Sequence, residues 1–114
     1  MRNKLKLVVN NKLIKNENFF VKRELKSILN LYAKKVSDGD WKDYGLSINK
    51  KEISFDIYQR ASEKPIYRIS KSLTPKRKDE RFYILDRSGN IIRKSEDLET
   101  LIKRVEWTRL KLIN

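Results

Sequence analysis

The alternation of apolar and polar side chains over residues 52–71 constrains the fold of this chain more than any other feature. Ile53, Phe55 and Ile57 occupy every second position, and residues two apart in a β-strand point to the same face of a sheet. After a short polar loop the pattern resumes, with Tyr67 on the apolar face. We therefore expect two neighbouring antiparallel strands in the middle of a small sheet.

Two more strands are predicted on either side of this pair. Leu46 and Ile48 alternate with polar residues ahead of a polar turn at 49–51. Residues 81–86 alternate as well, but carry apolar side chains on both faces, which favours an inner strand. The segment 87–90 then has the composition of a hairpin turn. Four strands joined mainly by short polar turns favour an antiparallel meander.

An amphipathic helix is predicted before the sheet and another after it. The first ends near Gly39, which can adopt the positive φ of a helix C-terminus, and the second begins at Ser95 as its N-cap. Each has an apolar stripe at helical spacing, formed by Val21, Leu25, Ile28, Leu29, Tyr32 and Val36 in the first and by Leu98, Leu101, Ile102, Val105 and Leu112 in the second. The stripes need the sheet to cover them. The expected fold is α+β, a four-stranded antiparallel meander sheet with one helix before it and one after it.

The chain is expected to form one domain with a basic N-terminal arm. Its 114 residues are typical of a single domain. Residues 1–18 are basic and rich in asparagine, and form either a short strand or a flexible arm, whereas residues 19–114 form the α+β domain. Residues 1–24 hold seven basic and two acidic side chains, so the arm is a candidate electrostatic tether.

Composition argues against most catalytic classes. The chain has no cysteine and no histidine, which excludes disulfides, thiolate nucleophiles, imidazole acid–base catalysis and the usual zinc sites. Three nearby carboxylates, Asp38, Asp40 and Asp43, lack the other ligands of a calcium loop, and helix capping explains them more simply. Glu63 is a conceivable base, but an ion pair with a nearby arginine is the simpler role. We expect no enzyme, no metal and no cofactor.

No segment predicts contact with a membrane. The longest apolar runs are three or four residues, whereas a membrane helix needs about 20. Lysines interrupt any apolar segment that a signal peptide would require. A cytoplasmic protein without a membrane segment is the expected class.

The strongest functional signal is positive charge. Lys and Arg total 28 against 15 Asp and Glu, a net charge of +13, and residues 60–81 alone hold eight basic and three acidic side chains. Cations bind phosphates, and aromatic rings can stack on unpaired bases. We therefore predict a surface that binds nucleic acid, either DNA or RNA. It is formed by Tyr58, Arg60, Lys64, Arg68, Lys71, Lys76, Arg77, Lys78 and Arg81.

Two alternatives remain for this surface. The lysines can serve solubility alone, since charged stretches are commonly just solvated. The chain can also be a protein-interaction module or a homodimer subunit, because Trp107 and Leu110 lie off the main stripe of the last helix, and aromatic side chains are common anchors of interfaces.

Two stretches are similar to a known family. They are WKDY at 41–44 and RASEKPIYRISK at 60–71. Together with the preceding helix pattern, the basic loop and the glycine hairpin, they give a resemblance over about residues 19–112 to DUF2794, a small alphaproteobacterial domain family of unknown function. The resemblance implies a bacterial cytoplasmic origin and a single domain, and it implies no activity.

Overall fold

The five described strands of this chain form one antiparallel sheet. The computed structural model describes residues 18–60 and 64–107. In chain order the elements are helix α1 (Lys22–Ser37), strands β1 (Asp43–Ile48), β2 (Glu52–Tyr58) and β3 (Tyr67–Ser72), a 3₁₀ turn (Lys78–Glu80), strands β4 (Phe82–Asp86) and β5 (Ile91–Ser95), and helix α2 (Leu98–Arg104). The strands lie side by side in chain order. The predicted helix, antiparallel meander and helix are confirmed.

The prediction of four strands is wrong, because the sheet has five. The missed strand is β5, which pairs with β4 at the edge of the sheet. Its sequence, IIRKS, does not alternate, and the register shifts between Ile84 and Leu85. β5 pairs with β4 through backbone hydrogen bonds, which the pattern of side chains in the sequence does not show. A strand that is solvated on most of its surface needs no apolar face, so periodicity could not reveal it.

Local signals set the ends of α1. The backbone N–H of Val21 donates to the Oε1 atom of Glu24 at 2.9 Å, so this side chain satisfies a donor at the start of the helix. At the other end Gly39 has a φ of 82°, and its N–H donates to the carbonyl of Val36 at 3.0 Å. A positive φ is cheap for glycine alone, so the predicted stop at Gly39 is confirmed.

Both helices cover the same face of the sheet. Leu25, Ile28 and Tyr32 of α1 and the leucines of α2 belong to one buried cluster with the apolar residues of the strands. Tyr32 packs edge-on against Phe55 with ring centroids 5.7 Å apart. The predicted apolar face of β2 is therefore confirmed, because Ile53, Phe55 and Ile57 are all buried.

Aromatic side chains pack the end of α1 onto the sheet. Trp41 is fully buried. Tyr44 stacks on Phe55 with ring centroids 5.0 Å apart, and it also packs edge-on against Tyr32 at 5.3 Å. Stacked and edge-on ring pairs of this kind add stability beyond their buried area.

The predicted start of the second helix is two residues too early. Ser95 ends β5, and its hydroxyl accepts a hydrogen bond from the N–H of Asp97 at 3.1 Å. Asp97 is the N-cap, because its carboxylate accepts from the N–H of Thr100 at 2.9 Å. Ser and Asp are both good caps, so sequence alone did not separate them.

Some predictions lie outside the described residues. They concern the arm at 1–17, the loop residue Glu63, and Leu110 and Leu112 in the last segment. Within the described ranges, the helices are too short and too polar to cross a bilayer.

Candidate nucleic-acid interface

The residues predicted to form one basic surface lie at opposite ends of the sheet. Tyr58, Arg60 and Lys64 lie where β2 ends and β3 begins, whereas the segment 76–81 connects β3 to β4. The six residues of β3 separate the two groups, and a strand of that length spans about 20 Å. Residues 58–81 were predicted to form one surface because they are close in sequence, but β3 separates the two groups of basic residues.

Lys71 was predicted to contact a ligand, and the structure places it in the interior. Its Nζ atom lies 2.8 Å from the Oε1 atom of Glu24, and it donates to the carbonyl oxygen of Phe19 at 3.1 Å. The two charged side chains are only 7% and 5% exposed. A charge removed from water needs such partners. Lys71 therefore joins α1 to the sheet and contributes no charge to the surface.

Arg68 lies on the sheet face opposite the helices, beside a buried carboxylate. Its Nε atom is 3.9 Å from the Oδ1 atom of Asp56, whose side chain is 3% exposed. Asp56 also accepts 2.6 Å hydrogen bonds from the hydroxyls of Ser47 and Ser54. The positive charge of Arg68 is thus partly balanced by a carboxylate on the same face, which makes this face a poor phosphate site.

The tyrosines of this face are engaged with their neighbours. Burial and the nearby carboxylate of Glu52 raise the pKa of the Tyr83 phenol to about 12. The ring of Tyr58 crosses Gly45, and a Cβ built on that glycine would lie 3.6 Å from the ring. Both tyrosines are half-buried. They therefore lack the exposed ring faces on which unpaired bases stack.

The other end of the sheet keeps a cluster of exposed cations. The connection between β3 and β4 encloses a depression of about 370 Å³ lined by Pro75, Lys76, Arg77, Lys78, Arg81 and Glu96. Four cations face one carboxylate there. We call this the loop depression, and positive charge of this density attracts polyanions.

The local backbone explains why these cations converge. The 3₁₀ turn Lys78–Glu80 is closed by hydrogen bonds from Glu80 N–H to the Arg77 carbonyl and from Arg81 N–H to the Lys78 carbonyl, at 3.1 and 3.2 Å. In a 3₁₀ turn, residues i and i+3 eclipse each other. Lys78 and Arg81 therefore lie on one side of the turn.

Neighbouring groups orient the two arginines of the loop depression. The Nε atom of Arg77 lies 3.3 Å from Asp79 and 3.7 Å from Glu80, and such exposed pairs contribute little stability. Arg81 places its guanidinium 5.4 Å from the centre of the Phe82 ring, which limits its motion. Lys76 and Lys78 are exposed on the same connection.

A second basic surface was not predicted. A groove of about 590 Å³ runs between α1 and α2, and its charged lining residues are Arg23, Lys26, Lys34, Lys103 and Glu99. We call it the helix groove. The sequence does indicate a basic side of α1, because the lysines of this helix lie off its apolar stripe. Only the packing of α2 beside α1 shows that Lys103 faces them across a groove.

Comparison with known proteins gives a family and no function. Residues 18–102 match the sequence model of a family described as "Protein of unknown function (DUF2794)". The chain belongs to this family. The match covers all of the described elements up to the middle of α2, including the loop depression and the helix groove except for Lys103. No curated protein and no solved structure matches the chain.

In this DUF2794 member, the three clustered aspartates serve different local roles. Asp38 is the C-cap of α1, and the Oδ1 atom of Asp43 accepts from the N–H of Tyr44 at 2.8 Å. Asp40 is fully buried, and no described donor reaches its carboxylate. Among the described residues, no group of three or more acidic side chains converges as a metal site would require.

The aromatic residue proposed to anchor a protein partner packs within its own chain. The ring of Trp107 lies 4.9 Å from that of Tyr67 and 5.4 Å from that of Trp41, both edge-on. Trp107 is partly buried in this cluster. Exposed apolar side chains occur instead on both edge strands, where Ile91 and Ile92 of β5 are 58% and 42% exposed and Ile48 of β1 is 51% exposed, and at Val21 before α1.

Proposed function

We propose that this protein binds nucleic acid, DNA or RNA, by contacts between the phosphate backbone and the cations of the loop depression. The observation that carries the proposal is the set of four exposed cations, Lys76, Arg77, Lys78 and Arg81, that line one depression with Glu96. Asp79 and Glu80 partly balance Arg77, so the positive excess of the depression comes mainly from Lys76, Lys78 and Arg81. Phosphate contacts of this kind supply most of the affinity of non-specific binding. Arg60 and Lys64 lie at the far end of the sheet and are not part of this site.

Fluorescence anisotropy on labelled oligonucleotides tests the proposal. Replacing Lys76 and Lys78 with glutamine should weaken binding for every sequence and lower the slope of log K against log salt by about 2, since each lost phosphate contact removes about 1. The control is Lys42→Gln with Arg87→Gln, which removes the same charge from exposed positions away from the loop depression. Equal weakening by both pairs would reduce the effect to overall charge and refute the site.

A homodimer formed through β5 is a second candidate function. Its supporting observation is the pair of exposed isoleucines, Ile91 and Ile92, on an edge strand, because exposed edges can pair with another strand. Arg93 and Lys94 follow on the same strand and would repel their counterparts in a symmetric pair. Light scattering that shows a monomer at high concentration and high salt would exclude this candidate.

A further inference from the structure

The helix groove has the composition of a second phosphate-binding surface. Arg23, Lys26 and Lys34 of α1 and Lys103 of α2 line it, and Glu99 is the only acidic residue among its described lining residues. Four cations around one carboxylate repeat the balance found in the loop depression. Long basic side chains at the rim of a groove keep their charged ends in water, where a polyanion can reach them.

The two basic surfaces are connected. A small depression of about 50 Å³ lies between them. It shares Arg81 and Glu96 with the loop depression, and it shares Arg23 and Glu99 with the helix groove. Depressions that share lining residues adjoin one another, so Arg81 and Arg23 link the two surfaces into one track. The link also passes carboxylates, because Glu96, Asp97 and Glu99 line the same small depression together with Glu24, which is paired with Lys71.

The polar groups along α1 recur at every helical turn. Arg23, Lys26, Ser27, Asn30 and Lys34 line the groove, so each turn of the helix presents a cation or a hydrogen-bond donor. The eleven steps from Arg23 to Lys34 rise about 17 Å. One strand of a duplex passes about five phosphates over that length, at about 3.4 Å each along the axis.

The described residues of the track offer no exposed ring on which a base could stack. Among the described residues lining the three depressions, the only aromatic one is Phe82. It is 3% exposed, and Arg81 lies over its ring. Proteins that bind single strands combine a basic groove with aromatic rings on which bases stack. A track of cations without exposed rings matches a ligand whose bases are already paired.

We propose that a double-stranded nucleic acid lies along this whole track, from the loop depression across Arg81 and Arg23 into the helix groove. This inference rests on the proposed function and adds the ligand class and a second contact surface. Contacts are made to the backbone, so recognition is independent of base sequence. The carboxylates of Glu96, Asp97 and Glu99 line the small depression that joins the two surfaces, and they oppose the passing phosphates.

The first experiment measures anisotropy with a short labelled duplex and with its single strand, in DNA and RNA versions, across a salt series. The duplex should bind more tightly than the single strand. Lys26→Gln with Lys34→Gln should lower the salt slope for the duplex by about 2. The pair Lys42→Gln with Arg87→Gln serves as the equal-charge control and should change the slope less.

A second variant tests the path with a gain of affinity, which a folding defect cannot imitate. Glu96→Gln with Glu99→Gln should tighten duplex binding several-fold at low salt, because it removes two charges that oppose the phosphates. Circular dichroism confirms that each variant is folded.

The outcomes separate the two proposals. If the wild-type protein binds neither duplex nor single strand at low salt, the proposed function itself fails. If Lys76→Gln with Lys78→Gln weakens binding while the α1 pair and the glutamate pair do not change it beyond the control, the function stands and the extended track is refuted. Tighter binding of the single strand would overturn the duplex assignment.

Discussion

At the scale of single residues, burial decides whether a charged side chain can contact a ligand or only other residues of the protein. Lys71 reads as one of eight cations in a basic stretch, yet it is buried against Glu24 at 2.8 Å. Ile69, two residues earlier, is fully buried on the same face of β3, so the alternation already placed Lys71 on the side covered by the helices. The period-two pattern was therefore a better guide to this residue than its charge.

The buried pair gives a stability prediction. Lys71→Met should lower the free energy of unfolding by about 3–5 kcal/mol, because it leaves the carboxylate of Glu24 buried without its cation. Adding Glu24→Gln should recover part of the loss, since glutamine keeps an acceptor for the N–H of Val21 and carries no charge. Urea unfolding measures both variants.

Lys76→Met is the matched control for this test. The same substitution at an exposed position should change the free energy of unfolding by about 0.5 kcal/mol or less. A Lys71→Met protein as stable as this control would contradict the assignment of an interior ion pair.

At the scale of elements, short helices depend on their caps. Helix α2 has only seven residues, too few to be stable alone in water, and yet it carries Glu99 and Lys103 into the helix groove. Its packing into the core through Leu98 and Leu101 and its N-cap Asp97 hold it in place. Hydrogen bonds from the backbone N–H and the hydroxyl of Thr100, in that order, lower the pKa of Asp97.

This cap predicts a pH dependence. A pKa that is lower in the folded chain means that ionised Asp97 stabilises the fold above its ordinary pKa of 3.8, and that this contribution disappears as the pH falls through the folded value. Asp97→Ala should cost about 1 kcal/mol at neutral pH, and this cost should shrink in acid. Thermal unfolding of both proteins across a pH series measures it.

Asp97→Asn is the informative companion of that variant. Asparagine caps helices about as well as aspartate but does not titrate, so this variant should stay close to the wild type at neutral pH. A cost of Asp97→Ala that is constant from neutral to acidic pH would show that the charge of the cap is unimportant.

At the scale of the whole molecule, the net charge of +13 has two consequences, one for the stability of the fold and one for binding. Repulsion among the cations destabilises the folded chain and, on the proposed function, the same cations attract a phosphate backbone. The described carboxylates are not spread evenly, since Glu24 and Asp56 are buried and pair with Lys71 and Arg68. Each pair takes up one cation and one carboxylate, so the remaining residues keep the same positive excess.

Self-repulsion predicts that salt stabilises the free protein. Raising sodium chloride from low to physiological concentration screens charges beyond about 8 Å, and it should raise the melting temperature by several degrees, equivalent to about 1 kcal/mol. Lys42→Glu with Arg87→Glu, which removes four units of positive charge, should show a smaller rise. A melting temperature independent of salt in both proteins would contradict net repulsion.

The sequence by itself determined the fold class and most of the elements. Alternation over residues 52–71 set the apolar face of β2 and β3, and an apolar stripe with Gly39 behind it set α1 and its end. These are properties of neighbouring residues, which a helix or strand period displays directly. The sequence also determined that the protein is basic, because net charge is a sum over residues and does not depend on their positions in space.

Only the tertiary structure decided which cations share a surface. It placed Arg60 and Lys76 at opposite ends of β3, paired Lys71 with Glu24 of α1, and set Lys103 of α2 across a groove from Lys26 of α1. It also added β5, whose pairing uses backbone hydrogen bonds. The reason is the same in each case: a surface is assembled from residues distant along the chain, and their meeting depends on strand length and helix packing rather than on spacing in sequence.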